Sequence, residues 1–364
     1  MIKLPRSAGT PPVVDTHAHW FPPEWIALME AEGNRNGAVV KRTADGLALN
    51  LLRGISVITP PLYDMSLRLK AMRRQQVDVQ ALSMCSPMVY WAPPEFGLRL
   101  SQVFNDACAA AHLQAPERFV GMAMLPMQAP ALALALAELE RAARLPGLRG
   151  VYMATNVNGK NLDDESFFPI YAKCEALGWP IFLHPVEAIG PERTQKFHLK
   201  NLLGIPYETG IAAASLIFGG VLDTFPKLEV MLSHAGGAFP WLTGRMDHGT
   251  RVRPELAHMK RTPSRYLRRF TYDTITHSPQ IMSYLIDLVG ADRIMLGSDY
   301  CFDMGYARPV AFVDKIPRLA ARDRNLMPAP IDILTMQGRQ KRDTLNTTAK
   351  ANLGWFNNGC LTVI

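Results

Sequence analysis

Eight short apolar runs, separated by stretches of helical periodicity, constrain this chain more than any other feature. The runs are Val13–Thr16, Val79–Met84, Phe119–Leu125, Leu148–Met153, Pro180–His184, Leu228–Ser233, Phe270–Thr274 and Arg293–Ser298. Several are almost continuously apolar, as expected of parallel strands covered on both faces. Between them, Ser66–Gln75, Glu95–Gln114, Ala129–Arg144, Glu165–Leu177, Thr209–Thr224 and Pro279–Leu288 read as helices. Eight strands alternating with helices predict a (β/α)8 TIM barrel. A doubly wound sheet is the competing architecture. It wants a glycine-rich phosphate turn after the first strand, and His17-Ala18-His19 stands there instead.

His17 and His19 are two residues apart on a strand, so their imidazoles face the same side. Two such rings form half of a metal site. Active-site residues of a barrel gather at the C-terminal strand ends. Three more candidates stand at such ends: His184 in Phe182-Leu183-His184-Pro185, His234 in Ser233-His234-Ala235-Gly236-Gly237, and Asp299 in Leu296-Gly297-Ser298-Asp299. A catalytic zinc site keeps three or four protein ligands and an open position. His17, His19, His184 and Asp299 are assigned as ligands. His234 is left as acid/base, because imidazole is suited to proton transfer near neutral pH, and His234 or Asp299 can deliver a proton to the reacting carbon, directly or through water. Leu148 to Asn158 contains no lysine, so a carbamylated lysine bridging two metals is not expected and one metal suffices. Among the other histidines, His112 reads as structural and His258 as exposed. His198 and His277 lie in mouth loops and are candidates to touch substrate.

The 364-residue chain is organised as one barrel over residues 1–317, with residues 21–63 as a long, irregular insertion over its mouth and residues 318–364 as a divergent tail. Its net charge is +7, but the basic residues are dispersed and no nucleic-acid module is recognisable, so a small anionic substrate is the expected partner. Five widely spaced cysteines without a Cys-x-x-Cys pair fit a reducing cytoplasm. No apolar run reaches membrane-spanning length, and none near Met1 resembles a signal peptide.

Longer motifs add a resemblance. Asp15-Thr16-His17-Ala18-His19, Arg118-Phe119-Val120-Gly121, Leu125-Pro126-Met127-Gln128, Phe182-Leu183-His184-Pro185, Ser233 to Pro240, Gly244 to Gly249 and Leu296 to Tyr300 resemble the amidohydrolase superfamily. Within it they resemble the branch of aminocarboxymuconate-semialdehyde decarboxylase and related zinc-dependent aromatic acid decarboxylases. The resemblance runs from about Val13 to about Gly305. It implies one Zn2+ per subunit on the four ligands above (with Mn2+ a possible alternative), no organic cofactor, and His234 as the residue that moves protons. It implies a dimer or higher oligomer, in which Arg253 reaches the neighbouring site. It further implies that Arg53 binds a substrate carboxylate, and that Trp91 and Phe302 line the pocket. In the loop after strand 5 this chain has His198 and Asn201 where the branch has tryptophans, and it has Val186-Glu187 after His184-Pro185, so a more polar pocket is expected.

The implied reaction is non-oxidative decarboxylation of a small aromatic, heteroaromatic or dienoic acid bearing a neighbouring hydroxyl or amino group. A hydrolase or hydratase on the same barrel is the first alternative. A metal-binding protein without catalysis is the second.

Overall fold

In a computed structural model, residues 12–51, 54–128, 132–317 and 319 are described. Among the described residues the strands are β1 (Val14–His19), β2 (Val39–Thr43), β3 (Gly46–Leu51), β4 (Gly54–Ile58), β5 (Val79–Ser83), β6 (Phe119–Ala123), β7 (Leu148–Ala154), β8 (Ile181–His184), β9 (Val230–Leu232), β10 (Phe270–Asp273) and β11 (Ile294–Met295). Eight of them form one parallel sheet in the order β1-β5-β6-β7-β8-β9-β10-β11. The sheet closes on itself. Thr16 N donates to Leu296 O at 2.9 Å, Asp299 N to His17 O at 2.8 Å and His19 N to Tyr300 O at 2.8 Å. This is the expected (β/α)8 barrel, and all eight apolar runs supply its staves.

Buried polar groups reinforce the seam. Asp15 is inaccessible to solvent and accepts from Gln80 Nε2 at 3.0 Å, Ser298 N at 2.9 Å and Ser298 Oγ at 2.5 Å. Arg68 is equally buried. It donates to Gln80 Oε1 at 3.0 Å and to the His19 carbonyl, and it lies over the Tyr300 ring at 4.8 Å. A buried charge is tolerated only when it is hydrogen-bonded or paired, so these contacts fix β1 against its neighbours. The helix Met65–Gln75 that carries Arg68 is capped by Asp64, whose Oδ1 accepts from Ser66 N at 2.7 Å and Leu67 N at 3.1 Å.

Two expectations are corrected. The single helix expected over Thr209–Thr224 is two, Ile205–Phe218 and Val221–Thr224, because the chain breaks at Gly219-Gly220 with Gly220 at φ 70°. The segment 21–63 is not irregular. It holds a helix (Pro23–Glu32) and the antiparallel sheet β2-β3-β4. The apolar side chains of that sheet, Leu47 and Leu49, are buried, whereas β2 is largely exposed.

Glu32, at the end of the insertion helix, accepts a bidentate pair from Arg99 at 2.6 and 2.8 Å and also pairs with Arg35. These hydrogen bonds hold its carboxyl down at about 2. A depressed carboxylate stabilises the fold above its unfolded pKa near 4.5 and loses that contribution as pH falls toward 2. The expected result is that Glu32→Gln melts below the unaltered protein at pH 7 and that the gap narrows from about pH 4.5 and closes only as pH falls through about 2. Thermal melts across pH check this, and a gap that stays constant with pH would contradict it.

Candidate metal centre and active site

The C-terminal ends of β1 and β8 and the turn after β11 bring together His17, His19, His184 and Asp299. Their ligand atoms all lie within 4.8 Å of one another, and all four residues are buried. His17 Nε2 is 3.1 Å from His19 Nε2, and Asp299 Oδ1 is 3.1 Å from His19 Nε2 and 3.5 Å from His17 Nε2. Neither ring nitrogen of His184 reaches a hydrogen-bond partner among the described residues. A buried imidazole with both nitrogens unsatisfied is costly unless something else occupies them. Three nitrogens and one carboxylate oxygen suit a divalent ion, so the residues present fit the implied metal.

The electrostatics point the same way. Burial pushes His19 down to about 4. Burial and the neighbouring His19 and His17 push His184 well below its ordinary value. Burial also lowers His234. For Asp299, burial is outweighed by the charge of His17 and the hydrogen bond to His19, which hold it at about 2. Neutral imidazoles around an ionised carboxylate are the protonation states that metal ligation requires. His17 is the exception: burial pulls it down, but Asp299 and Asp273 outweigh that and raise it.

Asp273, at the end of β10, was not singled out from the sequence. Its Oδ2 accepts from His17 Nδ1 at 2.8 Å and from His234 N at 2.9 Å. Its Oδ1 accepts from Ala235 N at 2.8 Å and Ile275 N at 3.0 Å. The bond to His17 places the proton on Nδ1 and turns Nε2 toward the cluster, the arrangement in which an outer carboxylate orients a ligating histidine. The two amide bonds hold a strained turn. His234, Ala235, Gly236 and Gly237 have φ values of 53°, 54°, 80° and 55°. The left-handed region costs non-glycine residues roughly 1–2 kcal/mol each. Asp299 also sits there, at φ 54°. Such strain persists only where the surroundings enforce it, and it concentrates at functional sites. Close packing sets Gly297 beside this network: a Cβ there would lie 2.9 Å from the Cβ of Asp273 and 3.1 Å from that of His17.

His234 lies beside the cluster, its ring centroid 5.3 Å from that of His184 and 5.5 Å from that of His17, and its Nδ1 has no hydrogen-bond partner among the described residues. With Asp299 it lines a cavity of about 270 Å³ formed by the loops after β8, β9, β10 and β11.

A family model described as Amidohydrolase matches residues 14–326. The chain belongs to the amidohydrolase family. Over 308 residues it is 36% identical to the 2-amino-3-carboxymuconate-6-semialdehyde decarboxylase of Dictyostelium discoideum, covering 83% of this chain and 85% of that protein. It is 29% identical over 261 residues to the gamma-resorcylate decarboxylase of Polaromonas sp. (strain JS666), covering 65% and 76% of the two chains. Among solved structures, the IDCase of Metarhizium anisopliae in apo form superposes with a TM-score of 0.80 at 25% identity, covering 90% of this chain and 98% of that one.

In this amidohydrolase the residues expected to bind substrate are dispersed. Phe302 is 40% exposed and its ring lies 5.4 Å from that of His19. Trp91 donates to Met88 O at 3.0 Å. It lines a smaller cavity of about 90 Å³ with Leu51 and Ser56 of the insertion and with Asn156, Glu187 and Lys200. Arg253 is exposed just past the helix Phe239–Val252. His198 is exposed and absent from the lining of either cavity, whereas Asn201 and His277 line the cavity of His234. Arg53 lies outside the described residues. No helix among the described residues is long and apolar enough to cross a membrane.

Proposed function

We propose that this chain is a metal-dependent, non-oxidative decarboxylase of a small aromatic, heteroaromatic or dienoic acid with a hydroxyl or amino group beside the carboxylate. The observation that carries the reading is the His17–His19–His184–Asp299 cluster, with His234 next to it on the wall of a cavity large enough for a single ring. The decarboxylases among its relatives support the reaction class. His17, His19, His184 and Asp299 would hold one divalent ion. When bound, the ion supplies Lewis acidity toward the substrate oxygen or nitrogen beside the carboxylate.

The chain's own groups do the rest. The apolar walls of the cavity exclude water from the ring. Breaking the bond to the carboxylate releases CO2 and leaves its electron pair on the ring or diene carbon. His234, neutral at rest, takes a proton from solvent and passes it to that carbon, which returns the imidazole to its neutral form. Arg53 is proposed to grip a substrate carboxylate, and Arg253 to do so from a neighbouring chain, since guanidinium binds carboxylates bidentately. Leu202, Leu203, Tyr207, Trp241, Ile281 and Tyr284 are 43–52% exposed around the mouth, and Trp241 stacks on Tyr284 at 5.1 Å. Exposed apolar surface of this kind supports a homodimer or a multiple of it. We assign the ion as zinc, with manganese the alternative, and the compartment as the cytoplasm. The insertion is proposed to cap the mouth.

Protein purified without added metal is expected to carry about one divalent ion per chain. It should release headspace CO2 from 2-hydroxybenzoates, 2-aminobenzoates or aminocarboxymuconates, and lose that activity and melting temperature on chelation. Elemental analysis, gas chromatography and thermal melts check this. Water addition or hydrolysis without CO2 would overturn the reading.

A further inference from the structure

The cavity of His234 and Asp299 presents two polar side chains that the proposed chemistry leaves unused. Most of its wall is apolar, including Ile205, Trp241, Ile281 and Met304. Its other polar side chains are Asn201, Thr276 and His277. Thr276 is occupied: its hydroxyl donates to Ser278 O at 3.0 Å and accepts from Ser278 N at 3.3 Å. The side chain of His277 is exposed and that of Asn201 half-buried, and neither has a hydrogen-bond partner among the described residues, so both are free to meet a bound ligand.

His277 is held in place with some strain. Its backbone is left-handed at φ 56°, a conformation uncommon outside glycine. Its N–H donates to the Tyr306 phenol at 2.7 Å, and its ring rests on Tyr306 with centroids 4.9 Å apart. Tyr306 is itself fixed: its N–H donates to Ser298 O at 2.7 Å, and its ring stacks on Phe312 at 4.6 Å. One tyrosine therefore ties the loop after β10 to the loop after β11 and sets the imidazole at the cavity wall. Asn201 stands in the loop after β8, at the start of the turn Lys200–Gly204.

We infer that His277 and Asn201 form a specificity subsite that reads a second hydrogen-bonding substituent, on the edge of the ring or diene away from the reacting carboxylate. The inference rests on the decarboxylase reading for the orientation of the substrate. The physical argument is selective. In a mostly apolar cavity, two free polar side chains gain little from a bare hydrocarbon edge. They gain a hydrogen bond from a hydroxyl, amino or carbonyl group at that edge.

The test uses nitro compounds, because a nitro group stands in for the carboxylate and cannot leave as CO2. Affinities of metal-loaded protein are measured calorimetrically for 2-nitrophenol and for 4-nitroresorcinol and nitrohydroquinone, which each add one ring hydroxyl away from the nitro group. At least one is expected to bind about 3- to 10-fold tighter than 2-nitrophenol, the worth of one net hydrogen bond. That ratio should fall to within about twofold in His277→Asn, which tolerates the left-handed backbone, or in Asn201→Leu, each checked for an unchanged melting curve. No gain from any added hydroxyl, or a gain that survives in both variants, overturns the subsite. CO2 release is scored separately with the corresponding acids. Hydroxyl discrimination without CO2 keeps the subsite and rejects the decarboxylase. CO2 without discrimination does the reverse.

Discussion

Replacing His234 with asparagine is expected to leave the metal content unchanged and to lower kcat by about 10²- to 10⁴-fold, the usual contribution of a positioned general acid or base. The substitution is chosen for the backbone. His234 sits at φ 53°, and asparagine is among the few residues that occupy this region readily. The turn should therefore survive while the titratable ring is lost. His234 lies outside the group of four that converges on one point, so ligation should not suffer. Elemental analysis and steady-state kinetics separate the two effects. Full turnover in this variant would remove His234 from the chemistry, and loss of metal would make it a ligand.

Asp273→Asn is expected to weaken metal binding about 10- to 100-fold, the typical cost of losing an outer-shell partner. The variant is isosteric, so the effect is not one of packing. Asp273 receives four N–H donors on two oxygens: the His17 ring and the amides of His234, Ala235 and Ile275. Burial opposes its ionisation, but the His17 hydrogen bond, the charges of His17 and His234 and the Ala235 amide together outweigh burial and lower its pKa, as an acceptor-only group requires. An amide has one accepting oxygen and one donating nitrogen, so whichever way it is placed two donors face an NH2. Each unsatisfied buried donor costs roughly 1–3 kcal/mol. The stability loss should appear in melts of both metal-free and metal-loaded protein, and the affinity loss in competition with a chelator. Unchanged affinity would reduce Asp273 to a purely local brace for the turn.

The staves of the barrel were legible because burial on both faces leaves continuous apolar runs, which Phe182 and Leu183 or Met231 and Leu232 display in their sequence neighbourhoods. The metal cluster was legible for a related reason. A barrel sends all its strand ends to one mouth, so His17, His19, His184 and Asp299 could be grouped by strand position alone. Asp273 stands at such an end too. What it does depends on backbone amides presented by a left-handed turn that follows the neighbouring strand β9, and spacing carries no trace of that. The insertion misled because its glycines and Pro60-Pro61 read as loop. Its sheet is partly exposed, so the alternation that marks a half-buried strand is weak in Val39–Thr43, where only Val40 escapes full exposure. His198 looked like a mouth residue from its position after β8. His198 is exposed, as is Phe197 at 82%, and Lys200 and Asn201 are the first residues after it that line either cavity.

The seam that closes the barrel is also the metal centre. His19 and Asp299 are 280 residues apart in the chain, yet they meet at 3.1 Å. During synthesis at roughly 5–20 residues per second, the first two imidazoles emerge tens of seconds before their carboxylate. For that interval no arrangement of the nascent chain can complete the coordination sphere. The complete four-ligand site is consequently a late event in the life of each molecule, and a chain that stops short of Asp299 carries its histidines without their carboxylate. The ion would bind tightly only to chains whose ends have met, so at equilibrium it draws the population toward closed barrels by mass action. Occupancy of the centre would then serve as a measure of completed folding.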